Sequence, residues 1–91
     1  MKKVVKQEGF KEELDEGKLW NSLYYPARES HYSEEEAVEL ADKAKHRVME
    51  WVHNHEDNVL TAGEIREKAI EVLDQIDKDV SFMYEKHLDL S

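Results

Sequence analysis

Five lysines, Lys2, Lys3, Lys6, Lys11 and Lys18, crowd the first 18 residues of a chain that is otherwise strongly acidic. On an extended run and in the first turn of a helix, beside backbone N–H groups without an intrahelical partner, lysines could hold a phosphate-like anion. Lysines on an edge hairpin also keep it soluble and unpaired, and spacing alone favours that plainer role. A Walker-type cradle is excluded, because it needs several glycines ahead of Lys-Ser or Lys-Thr and this chain has three scattered ones. Phosphate would have to be held by side chains. His46, Glu50 and His53 fall on one helical face at i, i+4 and i+7, a spacing metal ligation requires, but that face lies opposite the apolar stripe and reads first as solvated surface. Trp20, Tyr24 and Trp51 could stack on a base, yet at helical spacing in a thin core they read as packing residues. No nucleophile stands beside a positioned base, so no catalytic site is assigned and the chain is not expected to be an enzyme.

These residues must be positioned by a hairpin that feeds a helix. Two alternating runs, Lys3 to Gln7 and Phe10 to Leu14, flank Glu8-Gly9, and glycine accepts the positive φ that a tight hairpin turn demands. Asp15 is a good N-cap, with Leu14 and Leu19 placed to touch across the first turn as a hydrophobic staple. The first helix carries Leu19, Trp20, Leu23 and Tyr24 on one face. Pro26 removes a backbone donor, so the helix either stops near Tyr24 or kinks and runs on through Arg28.

The second helix is the best marked. Ser33 with Glu36 forms a capping box, and Ala37, Leu40, Ala41, Ala44, Val48, Trp51, Val52 and His55 repeat at three and four residues. Its outer face, with Glu35, Glu39, Asp42, Lys43, Arg47 and Glu50, mixes both signs of charge. Val59-Leu60-Thr61 permits a brief strand. Thr61 then caps a third helix with Glu64 in a second capping box, and Ile65, Ala69, Val72, Leu73 and Ile76 make its apolar stripe. Asp77-Lys78-Asp79 breaks the pattern before a short last helix bearing Val80, Met83, Tyr84, His87 and Leu88. The expected architecture is one α+β domain over residues 1–91, a small N-terminal β-hairpin packed over a four-helix bundle.

Composition sets the outer limits. A 91-residue chain with 40% apolar against 38% charged residues folds as one domain with a thin core. The absence of cysteine excludes disulfides and thiolate metal sites. Residues 1–18 are electrically neutral, so the remainder carries the whole net charge of −9. That charge repels nucleic acid and anionic lipid, leaving neither as an expected partner. The apolar runs are far short of a membrane span, and a cytoplasmic protein is the expectation.

The order Val4-x-Lys6-x-x-Gly9 followed by Leu14-Asp15-x-x-Lys18-Leu19 resembles the opening of the ATP-cone family, small nucleotide-binding regulatory domains of ribonucleotide reductases and of the repressor of their genes. Leu60-Thr61-Ala62-Gly63-Glu64-Ile65 is similar to the family's Ile-Thr-Ser-x-Glu-Ile segment, and Val80-Ser81-Phe82-Met83-Tyr84 to its closing Val-Ala-x-x-Tyr. The resemblance implies a third strand at Val59–Thr61 beside the hairpin, and a free-standing module that binds ATP or dATP without hydrolysing it. Magnesium would arrive with the nucleotide. Binding would alter association with a protein partner or the oligomeric state. The matching positions are Val4 and Lys6 on the first strand, Glu12 and Asp15 toward base and ribose, Lys18 on the first helix, and Thr61 or Ala62 with Arg66 at the third. Lys6, Lys18 and Arg66 are the expected phosphate contacts. The chain departs from the family at Gln7-Glu8, where Arg-Asp is usual, which removes one cation. The alternative expectation is a helical interaction adaptor that keeps this scaffold, no longer binds nucleotide, and offers acidic faces to a basic partner.

Overall fold

The computed structural model describes residues 3–5, 11–55 and 59–90. Along the chain run β1 (Lys3–Val5), β2 (Lys11–Glu13), α1 (Glu16–Glu29), α2 (Glu34–Asn54), β3 (Val59–Thr61), α3 (Ala62–Ile76) and α4 (Lys78–Leu90). The expected Glu8-Gly9 turn lies outside the described residues.

The α+β expectation is corrected: the protein is a mostly helical four-helix bundle, with helices of 14, 21, 15 and 13 residues against strands of three residues each. The strands lie in the order β2-β1-β3, with β2 antiparallel and β3 parallel to β1. They are a narrow ribbon beside the bundle and not a layer packed over it. A three-residue strand is only about 10 Å long, and alternation over five residues supplies too few inward positions to cover a bundle face. Of the strand side chains that are described, Leu60 is fully buried and joins the helical core while Thr61 is exposed.

Each helix begins where the local chemistry dictates. The Asp15 carboxylate accepts from the Lys18 amide at 3.1 Å, while Ser33 with Glu36 and Thr61 with Glu64 form reciprocal capping boxes. Pro26 does not end α1. It is buried, and packing holds the helix through it to Glu29, where the Ser30 amide bonds back to the carbonyls of Pro26 and Ala27 at 3.0 and 3.2 Å. A single residue, Asp77, separates α3 from α4. Its extended backbone ends one helix and its carboxylate accepts from the Asp79 amide at 2.8 Å to begin the next.

The core runs along the inner faces of all four helices. Ala27, Ala37, Ala41 and Ala44 are completely buried, and such small side chains let α1 and α2 approach closely and form the most extensive helix pair. Leu23, Val48, Val52, Leu60, Leu73 and Val80 fill the volume beyond them. Trp20 seals the edge of this pair by donating its indole N–H to Asp42 at 2.7 Å and stacking on Tyr24 at 4.9 Å.

Candidate functional site

The expected nucleotide positions divide between the strand ribbon and two helix starts. Val4 lies at the centre of β1, paired with Glu12 of β2 on one side and Leu60 of β3 on the other, and the next residue along, Val5, pairs with Thr61. Lys6 lies outside the described residues. Because β2 runs against β1 and β3 runs with it, α1 leaves the ribbon beyond Lys3 and α3 leaves it beyond Val5. The two helices therefore start from opposite ends of the central strand, about 10 Å apart along it.

At the start of α1, Asp15 is committed to capping. Gly17 packs against that cap, since a Cβ there would stand 3.2 Å from Asp15 Oδ1. The capped amide of Lys18 is thereby removed from the donors an anion could use, and Asp15 with Glu16 makes the immediate field negative. Glu16 is partly offset by Lys45 of α2 at 3.4 Å. At the start of α3 the Thr61 hydroxyl receives the Glu64 amide at 3.0 Å, and Glu64 Oε1 receives the Thr61 amide at 3.3 Å. Ala62 is the first helical residue, half-buried at the ribbon's edge. An anion at either place would depend on the lysine and arginine side chains, as the scarcity of glycine implies.

Lys18 and Arg66 are both exposed, and among the described residues neither has a carboxylate within ion-pair distance. Lys43, Lys78 and Lys86 share that property, so it does not single out the first two. Arg66 lies near the mostly buried Tyr84 of α4, whose phenol is raised above its ordinary value by burial, with Ser22 and the Arg66 guanidinium acting in the opposite direction. Neither Lys18 nor Arg66 lines the cleft around Met49 and His53, the cleft between α1 and α4, or the smaller one around Asp42 and Lys45.

His46, Glu50 and His53 do lie together with Glu16, Met49 and Asn54 around an open cleft of about 380 Å³. His46 and Glu50 are spent on each other at 2.8 Å, and among the described residues no three His, Cys, Asp or Glu side chains are arranged to hold a metal. The aromatic trio takes the packing role: Trp20 and Tyr24 stack together, and Trp51 meets His55 edge-on at 5.3 Å.

Two groupings escape sequence reasoning. His31 and Tyr32, in the connection between α1 and α2, converge on Asp77 between α3 and α4. Asn21, Ser22, Tyr25, Pro26 and Glu29 of α1 also face Tyr84 and His87 of α4 across a cleft of about 420 Å³. The available signals were slight: a tyrosine beside the proline, off the apolar stripe of α1, and an isolated aspartate at a break in helical pattern.

Compared with protein-family models and with curated proteins, the chain finds no match. Among the described residues, no helix is long and apolar enough to cross a membrane.

Proposed function

We propose that this chain is a nucleotide-binding regulatory module of the ATP-cone kind, which binds ATP or dATP without hydrolysis and changes its association with a protein partner or with itself according to occupancy. The observation that carries this reading is the strand register. Val4, Glu12 and Thr61, distant in sequence, fall on three adjacent strands, with Asp15 and Ala62 just beyond the ends of two of them. Lys18 and Arg66 then stand one turn into the helices that these strands feed. A ligand spanning the ribbon would meet both helix starts. Its effect on association requires unequal affinity for two states, since equal binding shifts nothing.

A second reading has its own support. Both helix starts are self-capped, and Asp15 and Glu16 stand beside Lys18, which suits an interaction adaptor that has lost its anion site and engages a basic partner.

A thermal-melt series with ATP, dATP, GTP and no ligand separates the two. An adenine nucleotide at about 100 times its dissociation constant stabilises the fold by ~2.7 kcal/mol. A melting temperature that is flat across all nucleotides would leave the adaptor as the surviving reading.

A further inference from the structure

The α1–α4 cleft runs along α1 from Asn21 to Glu29, beyond the ribbon and the two helix starts, although Arg66 of the proposed nucleotide set lies near its Tyr84. Its volume of about 420 Å³ is within the range of small-molecule sites. Pro26, buried at its base, and Tyr84, 3% exposed, give it a fixed floor. Tyr25 forms a wall. It is 56% exposed, one of two large apolar side chains among the described residues to be left so, and its ring is held edge-on to Tyr24 at 5.2 Å.

Two acceptors at the cleft have capacity to spare. Pro26 has no N–H to offer the Ser22 carbonyl four residues back, so that oxygen lacks its usual helical partner. The Ser22 hydroxyl is already donating to the Leu19 carbonyl at 2.6 Å. Glu29 Oε2 receives the His87 Nε2 proton at 2.8 Å, and no described residue reaches Oε1. Arg28, next to it in sequence, is turned to the Tyr32 carbonyl at 3.3 Å and does not neutralise it. An open backbone acceptor, an available carboxylate oxygen and an exposed aromatic wall on a protein of net charge −9 select one ligand chemistry.

We propose that the α1–α4 cleft is a binding site for a small planar aromatic cation, its ring against Tyr25 and its positive edge toward Glu29. This inference stands apart from the nucleotide reading. Titrating the full chain with N-methylquinolinium, followed by amide NMR shifts, tests it. Saturable shifts centred on Asn21, Tyr25, Glu29, Tyr84 and His87 are expected, with none from 2-naphthalenesulfonate, which has the wrong charge, and weaker binding of cyclohexylammonium, which keeps the charge but cannot stack. Tyr25→Ala and Glu29→Gln should each weaken binding roughly threefold to thirtyfold. Glu50→Gln, which removes an equal charge from another cleft, should leave it unchanged. Shifts scattered over the acidic surface, equal binding of the naphthalene anion, or full binding by a folded Glu29→Gln variant would overturn the proposal.

Discussion

Tyr32 donates its phenolic proton to Asp77 Oδ2 at 2.7 Å, joining two inter-helix connections that lie 45 residues apart in the chain. His31 stacks on Tyr32 at 4.6 Å and brings Nε2 to 3.3 Å from the same oxygen. The other oxygen of Asp77 caps α4. One carboxylate thus fastens the α1–α2 connection, the end of α3 and the start of α4. Tyr32→Phe keeps the ring and removes the bond, and should cost about 1–2 kcal/mol, at the lower end for a bond to a charged group because the pair is only partly buried. Urea denaturation measures it, and a loss below a few tenths of a kcal/mol would show the contact to be incidental.

The same pair predicts a two-sided pH dependence. The Tyr32 hydrogen bond, more than any other influence, holds Asp77 below its ordinary carboxyl value of 3.8, and that bond is also what pushes the Tyr32 phenol from 10.0 up to about 12. For Asp77, depressed on folding, the stabilisation is complete above its unfolded value and disappears as pH falls through the folded one. For Tyr32, raised on folding, it is complete below pH 10 and disappears as pH rises toward 12. Wild type and Tyr32→Phe should therefore differ most in stability between about pH 5 and 9 and converge at both extremes. Unfolding midpoints followed from about pH 2 to about pH 12 check the shape, and a constant difference at every pH would contradict it.

Leu60 measures how far the bundle relies on its strand ribbon. Its side chain is fully buried among helical residues. Leu60→Ala should cost about 2–5 kcal/mol, a large part of the ~5–15 kcal/mol that holds a domain together. Equilibrium unfolding in urea gives the value. A cost under ~1 kcal/mol would mean that the ribbon detaches without consequence for the helices.

Lys18→Ala and Arg66→Ala address the nucleotide reading directly. Each should weaken ATP binding by roughly 10- to 100-fold, as expected for one charge-assisted contact. Because both side chains are exposed, the unliganded melting point should hardly move. Calorimetric titration is the readout, and unchanged affinity in both variants would remove these residues from the site.

Sequence reasoning succeeded where the determinants are local. The capping boxes at Ser33–Glu36 and Thr61–Glu64 and the Asp15 cap each depend on residues three positions apart, so a linear reading contains them whole. Alternation in Lys3 to Gln7 marked extended chain but could not show that each strand has three residues, and the α+β class inferred from it gave way to a helical bundle. The continuation of α1 through Pro26 was undecidable because tertiary burial, not local propensity, settles it. Tyr32 with Asp77 and Glu29 with His87 are 45 and 58 residues apart, and nothing in either local pattern announces its partner.

Thr61 closes β3 and caps α3 in the same stroke, so no intervening loop separates strand from helix. The residue that ends the strand therefore also fixes where α3 begins, and one side chain at position 61 serves two elements at once.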